Sequence, residues 1–253
     1  MSGLKYYLKS VLVAVQFLTQ VPVHFKHYPE KQAVGSSLLF YPLVGLLIGL
    51  FITCLALSLS TIPTMLNSAM VLTAWVGITG ALHIDGLADS CDAWVGGQGD
   101  RLRTLQIMKD PSSGPVAVVM LICHLLLKVF AIDALLTLQQ FELLIIAPLV
   151  ARTLLPILLL ITPYVRANGI GAMLVDNAPR KKVYVSCLLT GLMGFTLFEV
   201  NLVFFSILTA SVSLFCLRSM MLNRLHGLTG DTAGASIEIV EVVVLLTLVV
   251  LVY

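Results

Sequence analysis

Long apolar runs alternate with short polar segments along almost the whole chain. A helix that crosses the hydrocarbon core of a bilayer needs roughly 17 to 25 predominantly apolar residues, and several of the runs reach that length. We therefore predict an all-α protein, a polytopic membrane helical bundle with about seven transmembrane helices. The predicted spans cover approximately residues 37–59, 64–82, 115–138, 143–163, 183–199, 202–217 and 237–253.

The segment before the first span follows an amphipathic pattern instead. Over residues 4–20 the apolar positions recur with the helical period, and a narrow polar stripe includes Lys5 and Lys9. This pattern is typical of a helix that lies in the membrane interface rather than crossing the bilayer. We expect one integral membrane domain over residues 1–253, in which residues 1–34 form the interfacial helix and loop and residues 35–253 form the transmembrane bundle.

Composition and charge placement support a membrane protein and predict its orientation. Charged residues are 11% of the chain and hydrophobic residues 58%, whereas soluble domains carry roughly 25% charged residues. Of the 15 lysines and arginines, only Lys128 and Arg152 lie inside a predicted span, and the others fall on one side of the membrane when seven spans cross it. Because basic residues gather on the cytoplasmic side, we place the N-terminus in the cytoplasm and the C-terminus outside. The formal net charge of +2 is small, and we expect no nucleic-acid partner.

The polar residues concentrate in three predicted cytoplasmic loops, residues 83–114, 164–182 and 218–236. In the first loop, we expect the second transmembrane helix to project past the membrane from His83 to Trp94 and to be followed by a short helix over residues 100–108. All three loops open on the same side of the membrane. A single cytoplasmic site could therefore use residues from each of them.

Three aspartates, Asp85, Asp89 and Asp92, lie at i, i+4 and i+7 in a stretch that has no lysine or arginine between residues 32 and 100. On a helix they fall within roughly a 60° arc, so all three carboxylates point the same way. Like charges at this spacing repel one another, and a bound cation would relieve the repulsion. Hard carboxylate oxygens suit Mg²⁺, which commonly completes its shell with waters and substrate phosphates. We interpret the triplet as a metal site for a polyphosphate substrate; the alternative is a solvated helix face.

Other residues near the triplet have both a chemical and a structural interpretation. Gly86, inside the expected helix, allows close approach of a ligand or of a neighbouring helix. His83 is a candidate general base or phosphate partner, or else an interfacial histidine. Asp110 precedes a proline and is either a turn residue or a metal ligand or general base. Lys109 and Arg101 are candidates to clamp phosphate oxygens, although basic loop residues also follow from the orientation rule.

A second acidic motif, residues 227–235, leads into the last span. Its glycines allow the backbone to approach a ligand, and a helix that starts there offers free N–H groups to an anion. Asp231 and Thr232 are candidate ligands or helix N-cap residues. Glu238 and Glu241 follow inside or at the edge of the membrane, where carboxylates are costly, and we expect them to form a second acidic face near the first.

Lys128 and Arg152 are predicted to lie roughly 17 to 20 Å deep in their spans, at about 1.5 Å per residue. Burial of such charges is costly, so both should face the bundle interior or a wet cavity. They either pair within the bundle, with Asp133 and His124 as possible partners, or line a cavity that reaches down from the aspartates and holds an anionic substrate.

These segments resemble the cobalamin synthase family, the adenosylcobinamide-GDP ribazoletransferases. The resemblance is carried by residues 82–92 (LHIDGLADSCD), 107–110 (IMKD) and 228–235 (LTGDTAGA), together with Lys128 and Arg152. It extends from residues 17–22 (FLTQVP) through residues 41–45 (YPLVG) to Glu238 and Glu241, which is nearly the whole chain.

The resemblance implies a Mg²⁺-dependent enzyme of the bacterial cytoplasmic (inner) membrane that joins adenosylcobinamide-GDP to α-ribazole, or to α-ribazole 5'-phosphate, and releases GMP. The product would be adenosylcobalamin or its 5'-phosphate, with the lower nucleotide loop of vitamin B12 complete. Lipid would surround the protein, and a homo-oligomer is left open. In this interpretation the metal ligands are Asp85, Asp89, Asp92 and Asp231, the catalytic base is His83 or Asp110, and the substrate-binding residues are Lys109, Lys128, Arg152, Arg101, Thr232, Glu238 and Glu241.

The chain departs from the usual pattern of this family at Gln20, Ser36, Gln106 and Ser112, where the family commonly has a charged residue. These departures leave the metal motif whole and concern the expected anion clamp. We expect them to affect the affinity for the substrate, or the choice of nucleotide, rather than the class of reaction.

Two other functions fit parts of the pattern. One is another Mg²⁺-dependent membrane phosphotransferase, such as the phospholipid-headgroup type, although the acidic motif of that type is spaced differently. The other is a transporter, which the charged residues inside the membrane would suit. Against a transporter stand the absence of inverted hydropathy repeats in the sequence and the concentration of carboxylates outside the bilayer centre. Metal-dependent release of GMP would distinguish the enzyme from a transporter.

Overall fold

The computed structural model describes residues 3–166 and 169–253, and over these residues the protein is all-α, with no β-strand. Two short 3-10 helices, Ser37–Phe40 and Phe141–Ile145, each lead directly into a long α-helix. The α-helices are α1 Gly3–Leu18, α2 Lys31–Ser36, α3 Tyr41–Ser58, α4 Thr64–Thr79, α5 Leu82–Gly96, α6 Arg101–Ile107, α7 Pro115–Thr137, α8 Ile146–Ile161, α9 Ile170–Asp176, α10 Arg180–Leu197, α11 Val200–Leu225 and α12 Gly230–Val252.

The helices long and apolar enough to cross a membrane agree with a multi-pass bundle. In the described part of the chain they are Lys31–Ser58, Pro115–Thr137, Phe141–Ile161, Val200–Leu225 and Gly230–Val252, with α4 and α5 together as a sixth, bent candidate. Helix α10 occupies the place of the fifth predicted span, but its first three residues are basic, and it falls short of the same criterion. The count of seven spans and the orientation of the termini therefore stay predictions.

The prediction that the second transmembrane helix continues to Trp94 was wrong. The helix breaks after Thr79, and α4 and α5 meet at an angle of 88°. At the break, Gly80 and Ala81 take left-handed φ values of 64° and 55°, which ends α4. The backbone N–H of Gln20 donates to the Ile78 carbonyl (2.8 Å), and the Gln20 side chain packs where a Cβ on residue 80 would lie. The loop after α1 therefore stabilises the bend between α4 and α5.

The amphipathic N-terminal helix is present as α1. It buries Val13, Ala14 and Leu18 against the bundle, whereas Leu4 and Leu8 are 82% and 57% exposed. Exposed leucines at one end of a helix whose other end is packed fit an element that contacts lipid. Its location in the membrane interface stays a prediction.

Helix α12 lies at the centre of the bundle and packs against α5, α7, α8 and α11. Its buried side chains include Ile237, Val244, Leu245 and Leu248, each at most 2% exposed. Because α5 carries one acidic motif and α12 begins with the other, the packing of these two helices positions the candidate site.

Candidate active site

Two glycines let the backbones of α5 and α12 come into contact. An added Cβ at Gly86 would come within 2.5 Å of the Asp231 carbonyl oxygen and 3.1 Å of its Cα. An added Cβ at Gly234 would lie 3.2 Å from the Cα of His83. Of the two interpretations of Gly86, the structure shows the close approach of a neighbouring helix. This contact brings Asp231 to the helix that carries the aspartate triplet.

We expect Gly86→Ala to destabilise the protein by about 1–3 kcal/mol, because the added methyl group overpacks the contact between α5 and α12. The matched control is Gly77→Ala in α4, where an added Cβ meets no atom of the described residues within 4 Å. There the change should be neutral or stabilise the helix by roughly 0.5–1 kcal/mol. Thermal unfolding of both variants in detergent checks the prediction, and equal stability of the two would contradict it.

The three carboxylates of α5 differ in their surroundings. Asp85 is exposed and Asp89 is partly buried, and neither takes part in any ion pair of the described residues. Asp92 instead accepts hydrogen bonds from the backbone N–H groups of Gly114 and Ala117 (2.9 Å to the latter), so it caps the start of α7. This structural role of Asp92 was not apparent from the sequence.

Asp231 lies at the start of α12 and is held by a residue of the second loop. Its carboxylate accepts a hydrogen bond from the Arg166 guanidinium at 2.9 Å, and the Thr229 hydroxyl lies 3.4 Å from the same oxygen. Thr232 forms a capping box with Thr229, since its backbone N–H donates to the Thr229 hydroxyl (3.2 Å) and its own hydroxyl accepts from the Thr229 N–H (2.9 Å). The prediction that Asp231 or Thr232 is the N-cap residue was wrong: Thr229 is the N-cap of α12, and Thr232 is the third residue of the helix.

The fit of this acidic face to Mg²⁺ rests on its donor chemistry. Among the described residues no three His, Cys, Asp or Glu side chains converge as a closed metal cage. Mg²⁺ is usually held by one or two carboxylates, with waters and substrate phosphates completing the shell. Asp85 and Asp89, on successive turns of one helix and without ion-pair partners, suit such an open site. The metal roles of Asp92 and Asp231 stay predictions.

Three further predicted site residues lie in the first loop. Asp110 is exposed, and a hydrogen bond from the backbone N–H of Ser112 (2.9 Å) lowers the pKa of its carboxyl group, which makes it a weaker base. Arg101 Nε donates to the Leu225 carbonyl (2.8 Å), which ties α6 to the end of α11. Lys109 is exposed beside them.

Hydrogen bonds join the three polar loops. Val165 in the second loop donates its backbone N–H to the Leu228 carbonyl of the third at 2.9 Å, and Leu228 donates to Pro163 at 2.9 Å. Arg224 Nη2 donates to the Trp94 carbonyl (2.8 Å), and its Nε donates to Thr104 (3.0 Å), which joins the third loop to the first. Helix α11 reaches these partners because it continues to Leu225, beyond the end predicted at residue 217.

A cavity of about 490 Å³ lies beside the pair formed by Arg166 and Asp231. His83, only 5% exposed, lines this cavity together with Tyr164 and Arg166. Burial raises the pKa of the Tyr164 phenol, so the hydroxyl stays protonated. Tyr164 and Arg166 are not among the predicted site residues, because in the sequence they are two ordinary residues of a loop.

Lys128, Arg152, Glu238 and Glu241 form a buried network of ion pairs. Lys128 Nζ donates to Glu238 (2.8 Å) and to Glu241, and Arg152 pairs with Glu241. These four side chains are at most 2% exposed. His124 Nε2 lies 2.9 Å from Glu238. The charges of two cations and two carboxylates thus compensate one another inside the bundle.

This network corrects two expectations. Asp133 is not a partner of Lys128; it accepts a hydrogen bond from Ser68 (3.3 Å) instead. Glu238 and Glu241 do not add a free acidic face to the triplet, because two cations neutralise them. The network also reaches the site, since Arg152 Nη2 lies 3.5 Å from Nδ1 of His83. The predicted substrate contacts of these buried residues stay predictions.

The sequence matches a known protein family over nearly its whole length. A family model described as cobalamin-5-phosphate synthase matches residues 10–249 of the 253. The chain belongs to the cobalamin-5-phosphate synthase family. No solved structure is significantly similar to this protein.

Relatives named adenosylcobinamide-GDP ribazoletransferase are similar over almost the full length. The protein of Pseudomonas fluorescens strain Pf-5 is 49% identical over 241 residues, which cover 92% of this chain and 96% of the relative. The protein of Stutzerimonas stutzeri strain A1501 is 48% identical, covering 94% and 96%. That of Pseudomonas aeruginosa strain PAO1 is 47% identical, covering 95% and 98%. The predicted resemblance is confirmed.

Proposed function

We propose that this member of the cobalamin-5-phosphate synthase family joins adenosylcobinamide-GDP to α-ribazole or α-ribazole 5'-phosphate. The ribose 3'-hydroxyl oxygen would form a bond to the phosphorus on the cobinamide side of the pyrophosphate. The bond from that phosphorus to the bridging oxygen would break, GMP would leave with the bridging oxygen, and the hydroxyl proton would pass to a base. The names of the relatives support this assignment.

The observation that carries the proposal is the contact between the two acidic motifs, with Gly86 of α5 against Asp231 of α12. A pyrophosphate needs several positive or hydrogen-bonding groups around it, and transfer of a phosphoryl group relies mainly on positioning and charge stabilisation. Asp85 and Asp89 would hold Mg²⁺, which when bound supplies charge neutralisation for the pyrophosphate oxygens. Arg166, beside Asp231, is a candidate to contact an anionic group of the substrate.

Of the two predicted bases, His83 is the better candidate. It is buried, it lines the cavity beside the acidic face, and its Nδ1 lies 3.5 Å from Nη2 of Arg152. Asp110 is exposed in a turn, does not line the cavity, and accepts a hydrogen bond from the backbone N–H of Ser112. In this proposal the site faces the cytoplasm from the bacterial inner membrane, where both nucleotide substrates are accessible.

Removal of divalent metal should abolish GMP release by the purified protein in lipid. The substrates are adenosylcobinamide-GDP and α-ribazole 5'-phosphate, and the assay is run with Mg²⁺, with EDTA, and with EDTA followed by excess Mg²⁺. We expect release only with Mg²⁺ and recovery when it is restored, because the acidic face otherwise repels the pyrophosphate. Release that is unaffected by EDTA would reject the role of the metal. Uptake of either substrate into vesicles without GMP release would favour the transporter.

A further inference from the structure

The 490 Å³ cavity beside Arg166 and Asp231 is large enough for one compact group of a substrate. Small-molecule sites typically measure about 300–1,000 Å³. Residues from α1, α3, α5, α8, α9 and α12 line it, together with Tyr164 and Arg166 of the loop after α8. It lies next to the acidic motif of α12, because Gly230, Ala233 and Gly234 form part of its wall. Its contents would therefore be held beside the reacting groups.

The walls of the cavity are mainly apolar and include aromatic rings. Phe17, Tyr41, Leu155, Leu159 and Ile237 contribute to them. Such walls suit a planar ring system with apolar faces, which gains from aromatic contact. They suit guanine less well, because any of its donor and acceptor groups that faced these apolar side chains would lack a partner, at a cost of about 1–3 kcal/mol each. A benzimidazole has only its ring nitrogens to satisfy, one of which is bonded to ribose in a nucleoside.

We propose that this cavity binds the benzimidazole-type base of α-ribazole and that the residues lining it select the base. This inference rests on the proposed function and adds the location of one substrate. The polar side of the cavity carries His83, Tyr164 and Arg166, and Arg166 lies 2.9 Å from Asp231. A base seated among the apolar walls would direct its ribose and phosphate towards these groups. The nucleophile would then lie between the candidate base and the acidic face.

The variant Ala233→Leu tests the assignment by filling the cavity. We expect Ala233→Leu to raise the KM for α-ribazole 5'-phosphate on the order of tenfold or more, because the added carbons occupy the space of the ring. The KM for adenosylcobinamide-GDP should change much less. The matched control is Ala69→Leu, at an exposed position of α4 that does not line the cavity. The control should leave the KM for α-ribazole 5'-phosphate unchanged.

A second variant, at an exposed position, allows the test to be made even if Ala233→Leu does not fold. Ile170 lines the same cavity but is 52% exposed, so Ile170→Trp should fold and should also raise the KM for α-ribazole 5'-phosphate. An unchanged KM in Ile170→Trp and in folded Ala233→Leu would overturn the assignment, as would an equal increase in Ala69→Leu. Absence of GMP release from the unmodified protein is a different result, which would reject the proposed function and this assignment with it.

Discussion

The substitution Asp89→Asn should lower GMP release by roughly 10²- to 10³-fold, the cost of removing one preorganised electrostatic group from a site of this kind. Asp89 lies at the centre of the triplet, one turn from Asp85, and is only partly buried. Asparagine keeps the shape of the side chain but removes the charge that a cation needs. The measurement is the initial rate of GMP release in lipid at saturating Mg²⁺.

The fold should survive this change, which separates a chemical effect from a structural one. Because Asp85 and Asp89 repel each other at i, i+4, neutralising one of them should stabilise α5 by a few tenths of a kcal/mol. Asp176→Asn is the matched control, since Asp176 is an exposed aspartate at the end of α9 outside the acidic face. The control should retain full GMP release. Full release by a folded Asp89→Asn protein would remove Asp89 from the metal site.

The features that could be predicted from the sequence depend on local periodicity. Long apolar runs required membrane-spanning helices whatever their packing, and the i, i+4, i+7 spacing placed three carboxylates on one face of α5. The hairpin of α10 and α11 and the short helix α6 followed from equally local signals. Gly86 was recognised as a point of close approach because a glycine in a helix interior is costly without such a reason.

The features that escaped prediction depend on contacts between residues that are distant in the sequence. The break between α4 and α5 involves Gly80, but it is stabilised by Gln20, 60 positions earlier. The hydropathy of the sequence gives no sign of this break between α4 and α5. The start of α7 is capped by Asp92 through Gly114 and Ala117, and no local pattern announces a cap from another helix.

The partners of Lys128 were missed for a related reason. The sequence shows that a buried cation needs a counter-charge, but the rotation of each helix about its axis decides which carboxylate meets it. Asp133 and His124 were the nearest polar residues on the same helix. The structure turns Lys128 towards α12, where Glu238 and Glu241 lie one turn apart.

Breaking this buried network should be the most damaging single change to stability. Glu241→Gln leaves Arg152, which is fully buried, without its carboxylate, and leaves Lys128 with Glu238 alone. Removing one partner of a buried ion pair costs about 3–5 kcal/mol, because the remaining charge stays desolvated. We expect a large loss of thermal stability in detergent. GMP release should also fall, because Arg152 contacts His83 and the network holds α12 against α7 and α8.

A double variant distinguishes the uncompensated charge from simple loss of packing. In Glu241→Gln combined with Arg152→Met, both partners of the pair are removed, and the net charge of the network stays balanced. Replacing a whole buried pair by neutral groups is often nearly neutral for stability, so the double variant should recover most of what Glu241→Gln loses. A double-mutant cycle measures the recovery. If the two losses simply add, the pair does not stabilise the bundle through its charges. If the double variant is stable but releases no GMP, Arg152 also positions His83. The bundle would then be intact, and only the guanidinium beside the His83 imidazole would be missing.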